Sequence, residues 1–341
     1  MRKWLVIVIC VVALSSCKKQ NEVKCEPAVD APFNLVLPSH FPPIEFPEDN
    51  ELTEKRVELG RRLFYDTRLS ADNSISCGSC HHQASAFTDN LSISQGIEGR
   101  VGFRNSPTLG NVAYQERLFA EGGVPNLEVQ ILAPIGDENE FDHDVVIIEA
   151  ELQADPILNN LSRIAYDRDI DIYAITRAIS CFERTMITGG SPYDKHVLGE
   201  ESLSKDALAG MELFFSEELA CGTCHSGHNF TDGGFHNIGL YEIYEDAGRF
   251  RITNDGEDEG KFKTPSLRNI EKTYPYMHNG SLQTLEEVID HFSSGGLGHI
   301  NQSELVVPLE LTALEKSQLL AFLTSLTDLE FLMNSELSLL N

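Results

Sequence analysis

A mainly α-helical fold in two similar domains, joined by long loops, is what this sequence predicts. Three observations carry the prediction. The pattern Cys-x-x-Cys-His occurs twice, as Cys77-Gly78-Ser79-Cys80-His81 and Cys221-Gly222-Thr223-Cys224-His225. Each copy follows an amphipathic stretch with the same ending, Leu63-Phe64-Tyr65 in one case and Leu213-Phe214-Phe215 in the other. Apolar residues recur elsewhere at helical spacing, and no alternation of period two lasts long enough to build a sheet.

The elements follow in chain order. Arg2 and Lys3 precede an apolar run, Trp4 to Leu14, that is short for a membrane span and reads as a secretion signal. Leu14-Ser15-Ser16-Cys17 looks like a lipobox, so residues 1–17 form a lipoprotein signal and Cys17 becomes the lipidated first residue. Lys18, Lys19 and Gln20 come next, with no Asp. By resemblance to bacterial lipoproteins this directs the chain to the outer membrane, facing the periplasm. Residues 18–34 read as a tether into an extended segment holding Pro38, Pro42, Pro43 and Pro47. Helices are predicted over 52–66, 171–188, 204–216 and 312–325. Thr312-Ala313-Leu314-Glu315 is a capping box for the last, which puts Leu319, Leu320, Leu323 and Leu326 largely on one face. The Gly- and Asp-rich stretch 231–260 reads as loop. The mature chain is long enough for two domains, 35–195 and 196–341.

Cys-x-x-Cys-His is the attachment signature of c-type haem. The two thiols add to the vinyl groups on one porphyrin edge, and the following His then lies under the iron. A zinc site would need four convergent ligands, and a redox dithiol has no use for the His. Two covalent haems c are therefore expected, held by Cys77, Cys80 and His81 and by Cys221, Cys224 and His225. A helix followed by a haem-binding turn is the cytochrome c pattern, so each domain is expected to be cytochrome c-like. Of the eight cysteines, Cys10 and Cys17 belong to the signal and four hold haem. A Cys25–Cys181 disulfide suits an oxidising compartment, but Cys181 lies on an apolar helix face and reads better as a buried free thiol. The formal charge of −27 excludes nucleic acid as a partner and suits a small basic redox protein.

Several further segments give the chain a specific resemblance. They are Arg104-Asn105-Ser106-Pro107-Thr108, Phe182-Glu183-Arg184-Thr185, Ser191-Pro192-Tyr193-Asp194, Lys263-Thr264-Pro265-Ser266-Leu267-Arg268-Asn269 and Thr273-Tyr274-Pro275-Tyr276-Met277-His278-Asn279-Gly280. With the two haem motifs, they resemble the bacterial di-haem cytochrome c peroxidase/MauG family from about residue 35 to the C-terminus. The resemblance implies that the N-terminal haem meets hydrogen peroxide and the C-terminal haem supplies it with electrons. It implies Glu140 as the catalytic carboxylate, in preference to Glu128, with Gln130 and Pro134 lining the pocket. It implies a Ca²⁺ held by the Asn105 side chain and the Thr273 and Pro275 carbonyls, and Arg268 paired with a haem propionate. Members are often homodimers, which composition does not address.

The sequence departs from that family in three places. Peroxidases of the family cap the first haem with a distal His, whereas here Gln95 stands at that position, implying an open haem. The second haem's sixth ligand, Met or Tyr in the family, falls on Phe292, which cannot bind iron. His291, Met277, His278, His299 and an empty position all stay open as alternatives. Ala120 replaces a Trp between the haems, leaving Phe119, Tyr114 or the packed medium as the electron route. The leading expectation is a peroxidase fed by a small periplasmic donor, a cytochrome c or a cupredoxin. Oxidation of a protein or organic substrate, as in MauG, and a non-enzymatic di-haem electron carrier are the alternatives.

Overall fold

The computed structural model describes residues 30–339, so the signal, the lipobox and Cys25 lie outside the described residues. The first half contains helices α1 (Glu54–Phe64), α2 (Cys77–Cys80), α3 (Leu127–Gln130), α4 (Leu132–Gly136), α5 (Val145–Gln153), α6 (Pro156–Tyr166) and α7 (Ile172–Glu183). The second contains α8 (Pro192–Val197), α9 (Lys205–Phe214), α10 (Cys221–Cys224), α11 (Phe250–Thr253), α12 (Leu285–Ser294), α13 (Ala313–Thr324) and α14 (Leu329–Met333). None of the helices among the described residues is long and apolar enough to cross a membrane. The four long helices read from periodicity are present, each shorter at its ends than predicted. Asp171 caps α7 by accepting from Ala174 N, and Thr312 and Glu315 form the expected box on α13.

Each half is organised by one helix crossing. On α1, a Cβ at Gly60 would lie 1.8 Å from the Ala178 carbonyl oxygen of α7. On α9, a Cβ at Gly210 would lie 1.9 Å from the Gln318 carbonyl oxygen of α13. Both glycines stand three residues before the shared Leu-Phe-aromatic ending. That ending has its own function: a Cβ at Gly78 would meet the Tyr65 ring at 2.4 Å, and one at Gly222 the Phe215 ring at 2.6 Å. The aromatic that closes each helix therefore packs on the Cys-Gly-x-Cys turn that follows. Replacing Gly210 by Ala forces a backbone shift between α9 and α13. We expect a loss of about 1–3 kcal/mol in urea unfolding. Gly256→Ala, where nothing lies within 4 Å, is the matched control and leaves the midpoint in place.

The duplication extends well beyond the haem motifs. Asn111 and Asn269 are both fully buried, both left-handed (φ 58° each), and both open a single 3-10 turn. In each copy an antiparallel bridge follows at the same spacing, Leu118 with Val124 and Tyr276 with Leu282, with Phe119 and Met277 at positive φ. Helices α3 and α12 then start in register, capped by Asn126 and Thr284. The copies meet at the seam. Asn111 Nδ2 donates to Thr188 O, Asn269 Nδ2 to Thr188 Oγ1, and Thr188 Oγ1 to Asp328 Oδ2.

Three expectations need correction. Residues 30–34 are not free tether. Asp30 Oδ1 accepts from Lys55 N at 2.9 Å, and Ala31 O accepts from Glu54 N at 2.8 Å, because α1 needs partners for its first amides. Inside the expected C-terminal domain, α14 and the tail turn back onto the N-terminal core. Phe331 packs on Phe87 at 5.6 Å and Tyr65 Oη donates to Leu337 O. The Gly/Asp-rich stretch leads into a small antiparallel ladder, β1 (Phe235–His236) with β2 (Phe262–Lys263). At two residues per strand, it is too short for alternation to reveal.

Candidate active site

In the first motif, Cys77 and Cys80 sit one turn apart on α2 as free thiols, and His81 is its C-cap. His81 Nδ1 donates to Phe87 O at 2.7 Å, which fixes the tautomer and leaves the Nε2 lone pair for a metal. The second motif repeats this, with His225 Nδ1 donating to Phe230 O at 3.0 Å. Both phenylalanines are left-handed (φ 61° and 50°), a conformation that turns each carbonyl toward its imidazole. Two thiols on one helical turn and an imidazole with Nε2 free fit covalent haem in both copies. Cys224, Asp232 and His236 also lie close enough to hold a metal ion. That cluster uses one of the haem thiols, so it competes with the stronger assignment.

The carboxylates sort themselves clearly. Glu128 is spoken for, since both its oxygens accept from the Arg184 guanidinium, at 2.6 and 3.1 Å, and Oε1 also takes Asn50 Nδ2. Burial pushes its pKa up, but those bonds outweigh it and hold Glu128 below the ordinary range. Glu140 has no such partner among the described residues. The residue is exposed at the surface, yet protein crowds its carboxyl on most sides. This desolvation, with Asp137's charge added, raises its pKa to about 7. The charge on Glu140 is felt at both Cys77 and Cys80, which places it beside the first attachment turn.

The Gln95 loop is tied to the same place. Gly96 N bonds Arg100 O, Ile97 N bonds Glu140 O at 2.9 Å, and Gln95 O lies 3.9 Å from Cys80 Sγ. Gln95 and Glu140 thus flank one turn, although the Gln95 side chain is exposed. Gln130 is half-buried on α3, and α3 breaks into α4 before Pro134.

The comparisons agree with this geometry. A model of the di-haem cytochrome c peroxidase family matches residues 54–202. The cytochrome-c peroxidase IdrP1 of Pseudomonas sp. (strain SCT) is 34% identical over 335 residues, 87% of this chain and 87% of that one. The methylamine utilization protein MauG of Methylorubrum extorquens is 36% identical over 289 residues, 83% of this chain and 81% of its own. This chain belongs to the di-haem cytochrome c peroxidase family. A solved MauG-like protein associated with microbial copper homeostasis superposes with a TM-score of 0.87 at 36% identity, covering 90% of this chain and 99% of its own. Family membership makes the chain an enzyme of haem c type.

Arg268 has protein partners of its own. Its guanidinium is bound bidentately by Asp194, at 2.8 and 2.9 Å, and its Nε donates to His228 O. Asp194, with its side chain fully buried, also accepts from Ser191 and from His40 Nε2 at 2.8 Å. A buried carboxylate requires such partners. Asn105 Nδ2 donates to Leu91 O. Its Oδ1 and the Thr273 and Pro275 carbonyls accept no hydrogen bond among the described residues. Tyr114, a candidate for the electron route, stacks edge-on at 4.6 Å against His228, three residues past His225. Cys181 is buried and pairs with no cysteine among the described residues.

One residue was missed. Glu183 ends α7, is 4% exposed, and has no side-chain hydrogen bond among the described residues. Burial raises its pKa to about 8, and its charge is felt at Cys77. The signal was present in the sequence as a carboxylate on the apolar face of a predicted helix.

Proposed function

We propose that this enzyme reduces hydrogen peroxide to water with electrons from a small periplasmic donor, a cytochrome c or a cupredoxin. The observation that carries the reading is Glu140, a carboxyl with no hydrogen-bond partner among the described residues and its pKa raised to about 7, set beside the Cys77–Cys80 turn. Residues 35–195 form the peroxidatic domain and hold the first haem through Cys77, Cys80 and His81. Residues from 196 onward, apart from α14 and the tail that pack on the first core, form the electron-supplying domain and hold the second through Cys221, Cys224 and His225. Bound at these residues, haem iron supplies the redox chemistry and takes up the electrons. Glu140 takes the proton of one peroxide oxygen and delivers it to the other, so that the departing oxygen leaves as water. Two electrons and two protons complete the conversion of one peroxide to two waters. Gln130 orients the peroxide, Pro134 walls it, and Gln95, unable to ligate iron, keeps the face open. The acidic surface steers a basic donor toward the protein. Anchoring is through Cys17 in the outer membrane.

The deciding experiment mixes haem-loaded protein with a reduced donor and follows donor oxidation. Oxidation must depend on added peroxide, and its absence would sink the reading. A second reading, oxidation of a protein substrate as in MauG, draws on the open face implied by Gln95 and on the similarity to MauG-like proteins. Mass spectrometry of a co-expressed neighbour protein would reveal it as an oxidised tryptophan or tyrosine.

Calcium is part of the proposal. Asn105 Oδ1 and the Thr273 and Pro275 carbonyls are hard oxygen donors of the kind Ca²⁺ takes. Removing calcium with EGTA is expected to lower the unfolding temperature, and adding it back to restore it. An unchanged transition would exclude a bound ion.

A further inference from the structure

The tail that follows Asp328 comes after the second haem motif in sequence, yet its Phe331 and Leu337 are buried in the first core. Asp328 sends it there from the seam. Its Oδ1 accepts from Phe331 N at 3.1 Å, and its Oδ2 accepts from Gly189 N and Gly190 N at 3.0 and 2.9 Å. Beyond that point the tail lies along α1 and the turn after α2. Arg61 Nε donates to Ser338 O and Tyr65 Oη to Leu337 O, each at 2.6 Å. Gln83 Nε2 donates to both Phe331 O and Asn334 O, at 3.0 and 2.8 Å.

Gln83 belongs to the turn that holds His81. Two residues of that turn, Ala86 and Phe87, are left-handed in succession, at φ 52° and 61°. A side chain makes this conformation costly, and it persists where the surroundings enforce it. Enforcement matters here because the Phe87 carbonyl accepts from His81 Nδ1 at 2.7 Å. From its own half the turn has Thr108 Oγ1 donating to Ala86 O, and the Phe64 ring 6.3 Å from that of Phe87. The nearer ring comes from the tail: Phe331 lies 5.6 Å from Phe87, and Gln83 is tied to that same residue's carbonyl. The second copy is built differently. Of Asn229 and Phe230, the corresponding pair, Phe230 alone is left-handed. The rings of Tyr193, Phe215 and Phe322 pack on it, all from its own half.

We infer that the tail after Asp328 positions the axial ligand of the first haem: Phe331 and Gln83 together hold the Phe87 carbonyl on His81 Nδ1. The second half of the chain thereby sets how strongly that imidazole donates through Nε2. The inference rests on the haem assignment proposed above. A ligating imidazole whose far nitrogen is firmly hydrogen-bonded is the stronger electron donor. Such a donor holds the iron's potential down and favours O–O cleavage. A looser Phe87 carbonyl does the reverse at the first haem and leaves the second as it is.

The test reads the axial bond of the first haem in haem-loaded, fully reduced protein. Phe331→Ala and Gln83→Ala are each expected to lower an iron–histidine stretching frequency in the resonance Raman spectrum and to raise one of the two midpoint potentials. Peroxide-dependent donor oxidation should fall by about 10–100-fold, the usual worth of an outer partner of a ligating histidine. The other potential should stay in place. Phe331→Leu keeps hydrocarbon against Phe87 and should lie near the wild type. Met333→Ala, on the exposed side of the same tail, should match it. If Phe331→Ala does not fold, Gln83→Ala is read against these two controls. A stretching band and potentials that stay put while the variants unfold more readily would make the tail a structural clamp and overturn the inference. Movement of both potentials would show a general loosening, with the same consequence. Peroxide turnover is read separately. A shifted band in a protein whose wild type shows no peroxide-dependent donor oxidation removes the proposed activity and leaves this positioning role standing.

Discussion

Glu140→Gln is expected to lower peroxide-dependent donor oxidation by about 10²–10⁴-fold, the usual worth of a positioned general acid–base. Haem incorporation should be unchanged. Gln keeps the shape and loses the exchangeable proton. Neither Glu128, locked to Arg184, nor Glu183, buried at the end of α7, is free to take over. The pH profile separates a proton carrier from a merely structural residue. Desolvation first, and Asp137 second, raise Glu140 to about 7. Glu140 must start as the carboxylate to accept a proton, so turnover should rise through that pH with the slope of one proton and then level off. Glu140→Gln should remove that limb entirely. Asp137→Asn should move it to lower pH, because it takes away the repulsion and leaves the desolvation. Kinetics at saturating peroxide, read across this range, decide the matter. A profile of the same shape in wild type and Glu140→Gln would exclude the role.

The haem motifs and the four long helices were legible because they depend on local rules. Cysteine spacing is covalent geometry, and helical periodicity is a property of a few consecutive turns. Most of the duplication was not legible, since its later copies share backbone rather than side chains. Asn111 and Asn269 kept their residue type because each must be left-handed and satisfy buried amides. Pro134 and Phe292 share nothing but register, and no comparison of residue types would pair them. The protein partner of Arg268 was not legible for another reason. Asp194 was quoted within a recognisable segment, but only the fold shows that its carboxylate is buried and that Arg268 and His40 converge on it. Glu140 lay between these cases. Its acidic neighbours suggested a solvated run, and the surroundings that make it different come from the loop of Gln95, which is distant in sequence.

Arg268→Ala is expected to destabilise the protein by about 3–5 kcal/mol, the usual cost of leaving one member of a buried ion pair alone. The pair is unusually closed, with side chains 2% and 0% exposed, and the Arg268 guanidinium also lies over the Phe41 ring at 4.7 Å. Asp194 joins the segment after α7, the Arg268 loop and the N-terminal strap through His40, so the loss should loosen all three together. Urea unfolding near neutral pH measures it, and the double variant Asp194→Leu/Arg268→Met should lose less than the two single changes added together. The pH dependence carries a definite sign. Burial pushes Asp194 up, but the bonds and charge of Arg268 outweigh it and leave the folded pKa below the unfolded one. The wild type therefore holds this stabilisation above the ordinary carboxylate range and loses it as pH falls through the folded value. In Arg268→Ala only the burial and the weaker donors Ser191 and His40 remain, so the folded pKa rises and acidification relieves the cost of the buried charge. The two stability curves should converge as pH falls. A gap that stays constant with pH would show that the guanidinium acts through packing on Phe41 and not through Asp194's charge.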